Sequence, residues 1–171
     1  MKHILGSNSR STLSNVQEGD SQPNAVDLRL GKVYKINNEV FEVSNDHKKH
    51  RGSEEMFPDG DGYYNLQPGS YEVVMENIIS VGPMEAGWVI TRSTLNRNGC
   101  FITSGLYDSG YHGVMAGVLH VTTGPARIKQ GTRIGQYLSF DAVMLRAYDG
   151  DYGFNKEHDK KYTGNVQETS I

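Results

Sequence analysis

The sequence predicts an all-β domain of short strands, of the jelly-roll or barrel kind. Its 171 residues include 20 glycines, and glycine adopts the positive φ angles of tight turns without steric cost. Apolar runs alternate with turn signals roughly every 8–12 residues, and no amphipathic helical pattern is longer than a turn or two. A chain of this length forms one domain with its own core, or a subunit that shares its core with copies of itself.

The clearest strand pattern begins at Ala25. From there to Leu30 apolar and polar residues alternate, which is typical of a half-buried strand. Further strands are expected at 33–43, 70–79, 88–91, 114–121 and 134–145, with a single helical turn at 95–99. Turns are expected at 67–69, 81–83, 122–125 and 130–131.

Three segments differ from this strand-and-turn pattern. Residues 1–23 are polar with few apolar anchors and predict a loosely held N-terminal arm. Residues 44–62 are the most polar stretch and predict an exposed loop, in which His47 and His50 make only a weak case for a metal site. Residues 148–171 form a polar, lysine-containing tail, which leaves 24–147 as the β domain.

Composition excludes several classes of protein. The net charge of −3 argues against a broad nucleic-acid surface. The only cysteine, Cys100, excludes an intrachain disulfide and a cysteine-rich zinc site. No apolar run has the length of a membrane helix, and the N-terminus does not resemble a signal peptide. We therefore expect a soluble cytoplasmic protein without a nucleic-acid or membrane partner.

A basic turn at 92–97 suits a polyphosphate. It carries Arg92 and Arg97 around the hydroxyls of Ser93 and Thr94, and arginine makes bidentate, charge-assisted contacts to phosphate oxygens. A plain surface loop is the alternative. Asp27, on the polar face of the first strand, is by itself expected to be a solvated side chain.

A second polar cluster lies in the segment Gly105–Gly113, where Asp108 stands between Tyr107 and Tyr111. A carboxylate there can activate a water molecule, while backbone groups of a hairpin read a base edge and a ring lies against a sugar. The alternative is a simple β-turn with aspartate in a favoured place. The run Arg133–Gln136 and the tail 154–167 complete the set, and such a tail is either disordered or a lid that excludes water.

Taken in order, these segments resemble the superfamily of dUTPases and dCTP deaminases. Five motifs carry the resemblance, at 24–31, at 66–71 with 88–99, at 105–113, at 131–136 and at 161–164. The second and the fifth are similar to the deaminase versions. The resemblance implies a distorted jelly-roll or β-clip fold, a homotrimer with active sites between subunits, and Mg²⁺ bound largely through the triphosphate of a deoxynucleotide substrate.

The resemblance also assigns roles to single residues. It implies phosphate contacts at Arg92, Ser93, Thr94, Arg97 and Gln136, and closure over the phosphates by Lys161 and Tyr162. Asp108 would activate the water, the hairpin with Gly105 and Tyr107 would bind the base, and Tyr111 would pack on the deoxyribose and disfavour a 2′-hydroxyl. Phe154 would stack on the base, and Asp27 would support the metal indirectly, through water, from a neighbouring subunit.

Departures from the family pattern bear on the type of reaction. Deaminases of this family use a glutamate on the strand after the third motif as a proton shuttle. The matching residue is Val118, which cannot move a proton, and the strand 114–121 holds no carboxylate. Leu106 stands where deaminases have an arginine, and Asn165 stands where their tail has glutamine.

Hydrolysis of dUTP to dUMP and pyrophosphate is the leading hypothesis, with Asp108 as general base. Because backbone groups would read the base, a pyrophosphatase for dCTP or a modified pyrimidine triphosphate stays open. A dCTP deaminase, mono- or bifunctional, would need another shuttle such as His120 or His112. A non-enzymatic binding protein is the third hypothesis, with the loop 44–62 as its candidate surface.

Overall fold

The computed structural model describes residues 1–163, and strands dominate it. The strands are β1 (Thr12–Leu13), β2 (Val26–Ile36), β3 (Glu42–Val43), β4 (Lys48–Lys49), β5 (Ser53–Met56), β6 (Tyr63–Leu66), β7 (Gly69–Ser80), β8 (Glu85–Thr91), β9 (Cys100–Thr103), β10 (His112–Val121), β11 (Ala126–Lys129) and β12 (Arg133–Asp141). Helix α1 spans Ser93–Arg97, a 3-10 turn spans Glu157–Asp159, and helix α2 spans Lys160–Thr163.

The main sheet has the strand order β8-β12-β2-β7-β10-β9, and its neighbouring strands are antiparallel. Strand β1 adds to β7 and β5 adds to β2, while β6 with β11 and β3 with β4 form small separate sheets. The outermost strands β8 and β9 also approach each other. The Ile102 amide donates to Thr91 Oγ1 at 2.7 Å, and the Val89 amide donates to Ser104 Oγ at 3.1 Å. These bonds bend the sheet towards a closed barrel.

The core follows the predicted alternation along β2. Val26, Leu28 and Leu30 are fully buried against apolar residues of the other strands, among them Val73, Ile79, Met115, Leu119 and Ile134. Strands β7 and β10 confirm the predicted strands at 70–79 and 114–121, and the expected helical turn is present as α1, two residues earlier than predicted. Asp27 is also fully buried, so the expectation of a solvated side chain is wrong.

Other expected elements differ in extent. The region 33–43 is not a separate strand, because β2 runs on without interruption to Ile36. Strand β12 ends at Asp141, and Leu145 beyond it is fully exposed. The expected loop 44–62 contains β4 and β5, and β5 pairs with β2, which places Glu55 opposite Tyr34. The stretch 44–62 is so polar that it lacks the alternation of apolar and polar residues from which a strand is predicted.

The N-terminal segment is packed rather than loosely held. Ile4 and Leu13 enter the core, and β1 pairs with β7. The buried Asp20 carboxylate accepts two hydrogen bonds from the Arg29 guanidinium, at 2.7 and 2.9 Å. Pairing with distant β7 and an ion pair with Arg29 therefore hold this part of the chain, which its low hydropathy does not reveal.

The tail returns over the start of β10. The Phe154 amide donates to the His112 carbonyl at 3.0 Å, and the Tyr162 ring packs edge-on against Tyr34 with centroids 5.8 Å apart. The segment 148–163 thus lies against its own chain. Within residues 1–163, helices long and apolar enough to cross a membrane are absent.

Candidate active site

Two neighbouring strands meet at a buried carboxylate. Asp27 on β2 pairs in register with Gln136 on β12, so both side chains lie on one face of the sheet. Gln136 Nε2 donates to Asp27 Oδ1 at 3.0 Å, and Gln22 Nε2 donates to Oδ2 at 3.1 Å. Arg92 Nε and Arg133 Nη1 lie 3.4 and 3.5 Å from Oδ2. We call these five residues the arginine cluster.

The arginine cluster suits an anion. Its two guanidinium groups outnumber its single carboxylate, and about a third of the Arg92 and Arg133 side chains is exposed. A guanidinium has five N–H donors in a planar fork, so the contacts with Asp27 leave donors for phosphate oxygens. Asp27 therefore orients groups that face solvent instead of facing solvent itself.

Helix α1 places the remaining predicted phosphate residues beside this cluster. Strand β8 ends at Thr91, the Arg92 amide bonds to the Ile134 carbonyl at 3.1 Å, and the helix starts with the next residue. Gly99, with φ at +71°, ends the helical turn in a conformation that favours glycine. The side chains of Ser93, Thr94 and Arg97 on this helix are exposed.

A separate cavity of about 350 Å³ lies between the hairpin after β9 and the tail. We call it the hairpin cavity. The hairpin contributes Gly105, Leu106, Tyr107 and Tyr111, strands β7 and β10 contribute Glu72, Ala116, Gly117 and Val118, and the rest of the lining consists of His50, Tyr148, Tyr152, His158, Asp159 and Tyr162. This volume is within the range of small-molecule sites. The carboxylates of Glu72 and Asp159 disfavour phosphate there, so a neutral nucleoside suits it better.

Tyrosines make the hairpin wall rigid. The Tyr107 and Tyr111 rings meet edge-on with centroids 5.3 Å apart. The Tyr107 hydroxyl donates to the Ala116 carbonyl at 3.3 Å, and the Tyr111 hydroxyl donates to the Val114 carbonyl at 2.6 Å. Burial raises the pKa of both phenols well above the ordinary value, so both stay neutral donors.

Asp108 sits on a tight turn beside this wall. The Tyr111 amide donates to the Asp108 carbonyl at 3.0 Å, and Gly110, with φ at +87°, makes the turn possible. The Asp108 side chain is exposed. Two backbone hydrogen bonds of 2.7 and 3.0 Å tie the preceding Tyr107 to Gly87 of β8.

The pairing of Tyr107 with Gly87 shows how far Asp108 lies from the arginine cluster of the same chain. Gly87 is five residues before Arg92 along β8, which corresponds to about 16 Å of strand. Within one chain the predicted general base and the predicted phosphate residues therefore form two separate half-sites.

The predicted tail residues lie away from the arginine cluster of the same chain. Lys161 Nζ lies 2.8 Å from Glu72 Oε1, and Tyr162 is buried beside Tyr34. Tyr34 is seven residues along β2 from Asp27, which corresponds to about 23 Å of strand. Closure of these residues over phosphates stays a prediction.

Phe154 and the end of the tail complete the predicted set. The Phe154 ring packs on the His112 ring with centroids 4.9 Å apart, and Phe154 is not among the residues that line the hairpin cavity. Its stacking on a base therefore stays a prediction too. The family positions Gly164 and Asn165 lie outside the described residues.

Glu72 is the site residue that sequence reasoning missed. It stands on β7 directly opposite Val118 on β10, and both line the hairpin cavity. Its charge within a predicted strand is the available signal, but the same strand also carries Glu76 and Asn77, so charge alone does not single out Glu72. Its partner could not be inferred, because the β7–β10 register shifts at a bulge between Val114 and Ala116.

His120 does not take over the role of a carboxylate in the cavity. It lies on the same strand face as Val118, with Nδ1 3.0 Å from Ser70 Oγ and Nε2 3.0 Å from Thr103 Oγ1. Its ring also stacks on Phe101. Both ring nitrogens of His120 thus have hydroxyl partners, and its ring is packed against an aromatic neighbour.

A metal contact of Asp27 finds no support in the geometry. Its carboxylate has no exposed surface, and two arginines and two amides surround it. Among residues 1–163, three or more His, Cys, Asp or Glu side chains do not come together in a group able to hold a metal ion. Indirect metal support by Asp27 stays a prediction, and its observed contacts are with Gln22, Arg92, Arg133 and Gln136.

Comparisons with known proteins agree with this picture. The sequence family described as dCTP deaminase-like matches residues 3–142. The deoxyuridine 5′-triphosphate nucleotidohydrolase of Methanocaldococcus jannaschii is 31% identical, with 87% of this chain and 97% of that protein covered. A probable enzyme of the same name from Methanosarcina barkeri is 32% identical, over 79% of this chain and 81% of its own length.

Solved structures show the same fold. The dCTP deaminase of Agrobacterium tumefaciens superimposes with a TM-score of 0.58 at 16% identity, over 75% of this chain and 42% of that one. A dUTPase mutant of phage phi11 of S. aureus, described with a structural Mg(II) ion, gives a TM-score of 0.52 at 10% identity, over 85% and 99% of the two chains. These likenesses confirm the predicted all-β, dUTPase-like β-clip fold. The family match over residues 3–142 and the Methanocaldococcus jannaschii relative show that the chain belongs to the dCTP deaminase-like family, within the superfamily of dUTPases and dCTP deaminases.

Proposed function

We propose that this protein hydrolyses dUTP to dUMP and pyrophosphate. The observation that carries the proposal is the pair of half-sites with complementary chemistry, a cationic cluster for phosphates and a tyrosine-lined cavity for a nucleoside. The relatives named as deoxyuridine triphosphate nucleotidohydrolases support it.

Asp108 is the proposed general base. Its exposed carboxylate, on a turn held by hydrogen bonds, would accept a proton from a water molecule as that water attacks the α-phosphorus. The bond from the α-phosphorus to the bridging oxygen breaks, and pyrophosphate leaves. Arg92 and Arg133, with Ser93, Thr94, Arg97 and Gln136 beside them, would hold the charged oxygens.

The hairpin cavity is the proposed nucleoside site. Tyr111 would pack against the deoxyribose, and backbone groups near Gly105 and Leu106 would contact the pyrimidine edge. Val118 presents an apolar surface to the cavity where a proton shuttle for C4 would stand. Attack at the α-phosphate therefore agrees better with this strand than attack at the base.

A complete site would combine two subunits of a homotrimer. Adjacent phosphates of one nucleotide lie far closer together than the roughly 16 Å of strand between the half-sites of one chain. The hairpin of one subunit would therefore meet the arginine cluster of another. Beside that cluster, Trp88 and Ile90 are each about 40% exposed, and Trp88 stacks on Phe140 at 4.5 Å. This apolar face suits burial against a second copy.

Mg²⁺, which the family resemblance implies, would arrive on the triphosphate. When bound, it neutralises charge on the phosphate oxygens. The arginine cluster would then hold the remaining anionic oxygens, while Asp27 keeps the two guanidinium groups and the Gln136 amide oriented.

Deamination of dCTP is the second candidate, and Glu72 is the observation that favours it. This carboxylate faces the hairpin cavity directly opposite Val118, so the cavity contains an acidic group that the strand 114–121 lacks. Its ion pair with Lys161 counts against a free proton shuttle.

One product analysis tests both candidates. Purified protein is incubated with Mg²⁺ and either dUTP or dCTP, and nucleotides, pyrophosphate and ammonia are measured. We expect dUMP and pyrophosphate from dUTP and no ammonia from dCTP. Ammonia from dCTP would overturn the proposal in favour of deamination, and release of pyrophosphate from dCTP alone would overturn the assignment of uracil.

A further inference from the structure

We propose that Glu72 is a positioning residue that clasps the C-terminal tail, through Lys161 and Tyr162, so that the tail forms a fixed wall of the nucleoside cavity. The inference rests on the proposed function, because it takes the hairpin cavity as the nucleoside site. It assigns Lys161 and Tyr162 to this wall and not to the phosphates.

The clasp centres on an ion pair between distant parts of the sequence. Lys161 Nζ lies 2.8 Å from Oε1 of Glu72 and 3.1 Å from Oε2, so the ammonium group contacts both carboxylate oxygens. The Glu72 side chain is 18% exposed and that of Lys161 is 34% exposed. Partial burial reduces screening by water and salt, so this pair holds more firmly than a surface pair.

Aromatic rings enclose the same ion pair. Lys161 Nζ lies 5.0 Å from the Tyr162 ring centroid and 5.9 Å from that of Tyr34, within the range of cation–π attraction. The Tyr34 hydroxyl donates to the Lys161 carbonyl at 3.4 Å. Burial and the facing Glu72 carboxylate raise the pKa of Tyr162 well above its ordinary value, so its hydroxyl stays neutral beside that carboxylate.

The clasp matters for binding because the tail supplies one side of the cavity. Tyr148, Tyr152, His158, Asp159 and Tyr162 line it opposite the hairpin. The Phe154 amide ties the middle of the tail to the His112 carbonyl of β10 at 3.0 Å, and the Gly153 amide donates to Asp159 Oδ2 within the tail at 2.7 Å. The clasp holds its far end, at α2. A nucleoside that enters a preformed cavity does not have to order this wall, which lowers the cost of binding.

This role differs measurably from catalysis by Glu72. A positioning residue that orders a binding wall changes KM and leaves kcat nearly unchanged. A proton shuttle would change kcat. The contacts of Glu72 are with the tail rather than with the turn that carries Asp108, so an effect on KM is expected.

Charge reversal gives the sharpest experiment. Glu72→Lys and Lys161→Glu are made singly and together, and Lys160→Met serves as control, because Lys160 is exposed and pairs with Glu157 within the tail. Steady-state kinetics with dUTP and amide hydrogen exchange over 148–163 are measured for each, with melting temperature as a check on folding. We expect each single reversal to raise KM about five- to ten-fold with little change in kcat, and to speed exchange in the tail.

The double reversal should restore KM and the slow exchange, and Lys160→Met should change neither. Unchanged KM and exchange in both single reversals would overturn the inference, as would loss of kcat in Glu72→Gln at unchanged KM. A wild-type protein that hydrolyses no deoxynucleotide would refute the proposed function instead. In that case, hydrogen exchange in the reversal series still decides whether the clasp exists.

Discussion

Gln136 Nε2 donates a hydrogen bond to Asp27 Oδ1 at 3.0 Å across the β2–β12 pair. The bond joins two motifs that are more than a hundred residues apart in the sequence. Because the same carboxylate also contacts Arg92 and Arg133, one buried aspartate orients three side chains proposed to bind phosphate. Its removal should therefore affect both stability and substrate binding.

Asp27→Asn should lower the free energy of unfolding by about 3 kcal/mol, because two guanidinium groups lose the buried charge between them. The variant should also raise KM for dUTP. Urea unfolding and steady-state kinetics check the two effects. Asp61→Asn is the control, since that side chain is 83% exposed. A loss in Asp27→Asn no larger than in the control would refute the structural role.

Asp108→Asn should lower kcat at least about 100-fold, because an amide cannot accept the proton of the attacking water. The side chain is exposed on a turn held by backbone bonds, so melting temperature and nucleotide affinity should stay close to wild type. Calorimetric titration with a non-hydrolysable dUTP analogue checks affinity. Substantial turnover by this variant would remove Asp108 from its proposed role.

The limits of sequence reasoning are visible in these two aspartates. Asp108 can be proposed from the sequence because its turn, its glycines and its flanking tyrosines are contiguous. The alternation of β2 correctly predicted the burial of Val26, Leu28 and Leu30, but it predicted solvent for Asp27. The arginines that surround Asp27 come from other segments, and a local pattern carries no information about them.

The same reasoning explains why Glu72 was missed. Val118 can be matched to the deaminase glutamate by counting residues along the sequence from Asp108, and this step needs no structure. The neighbour of Val118 depends on a bulge in the β7–β10 pair, and Lys161 meets Glu72 across a separation of 89 residues. The sequence therefore predicts that β7 and β10 are strands, but it does not predict their register or the path of the tail.

Acid should weaken the fold through Glu85. Burial by itself raises the pKa of this fully buried carboxyl, but hydrogen bonds from Ser11 and Lys2 more than offset it, so the net pKa lies below the ordinary 4.5. A lowered folded-state pKa contributes stability above the unfolded-state value and loses it as pH falls through the folded-state value. Melting temperature should therefore fall as pH drops below about 4.5, and Glu85→Gln should flatten that slope. An unchanged slope would contradict this account.

Gly113→Ala should disturb the packing of the tail against the start of β10. A Cβ there would lie 2.7 Å from the Gly153 Cα, so the tail backbone would have to move. We expect a loss of about 1–3 kcal/mol in stability and faster proteolysis of 148–163. Gly60→Ala is the control, because a Cβ at Gly60 meets nothing within 4 Å. Equal behaviour of the two variants would show that the tail does not depend on this contact.

The most direct test of the account is complementation between two inactive variants. Asp108→Asn and Arg92→Ala are each purified, and they are then assayed alone and after co-refolding at equal amounts. If the hairpin of one subunit meets the arginine cluster of another, random co-assembly gives about a quarter of all sites an intact Asp108 together with an intact Arg92. We predict recovery of dUTP hydrolysis to roughly that fraction of the wild-type rate. Mixed assemblies that form but stay as inactive as either parent would contradict the shared site.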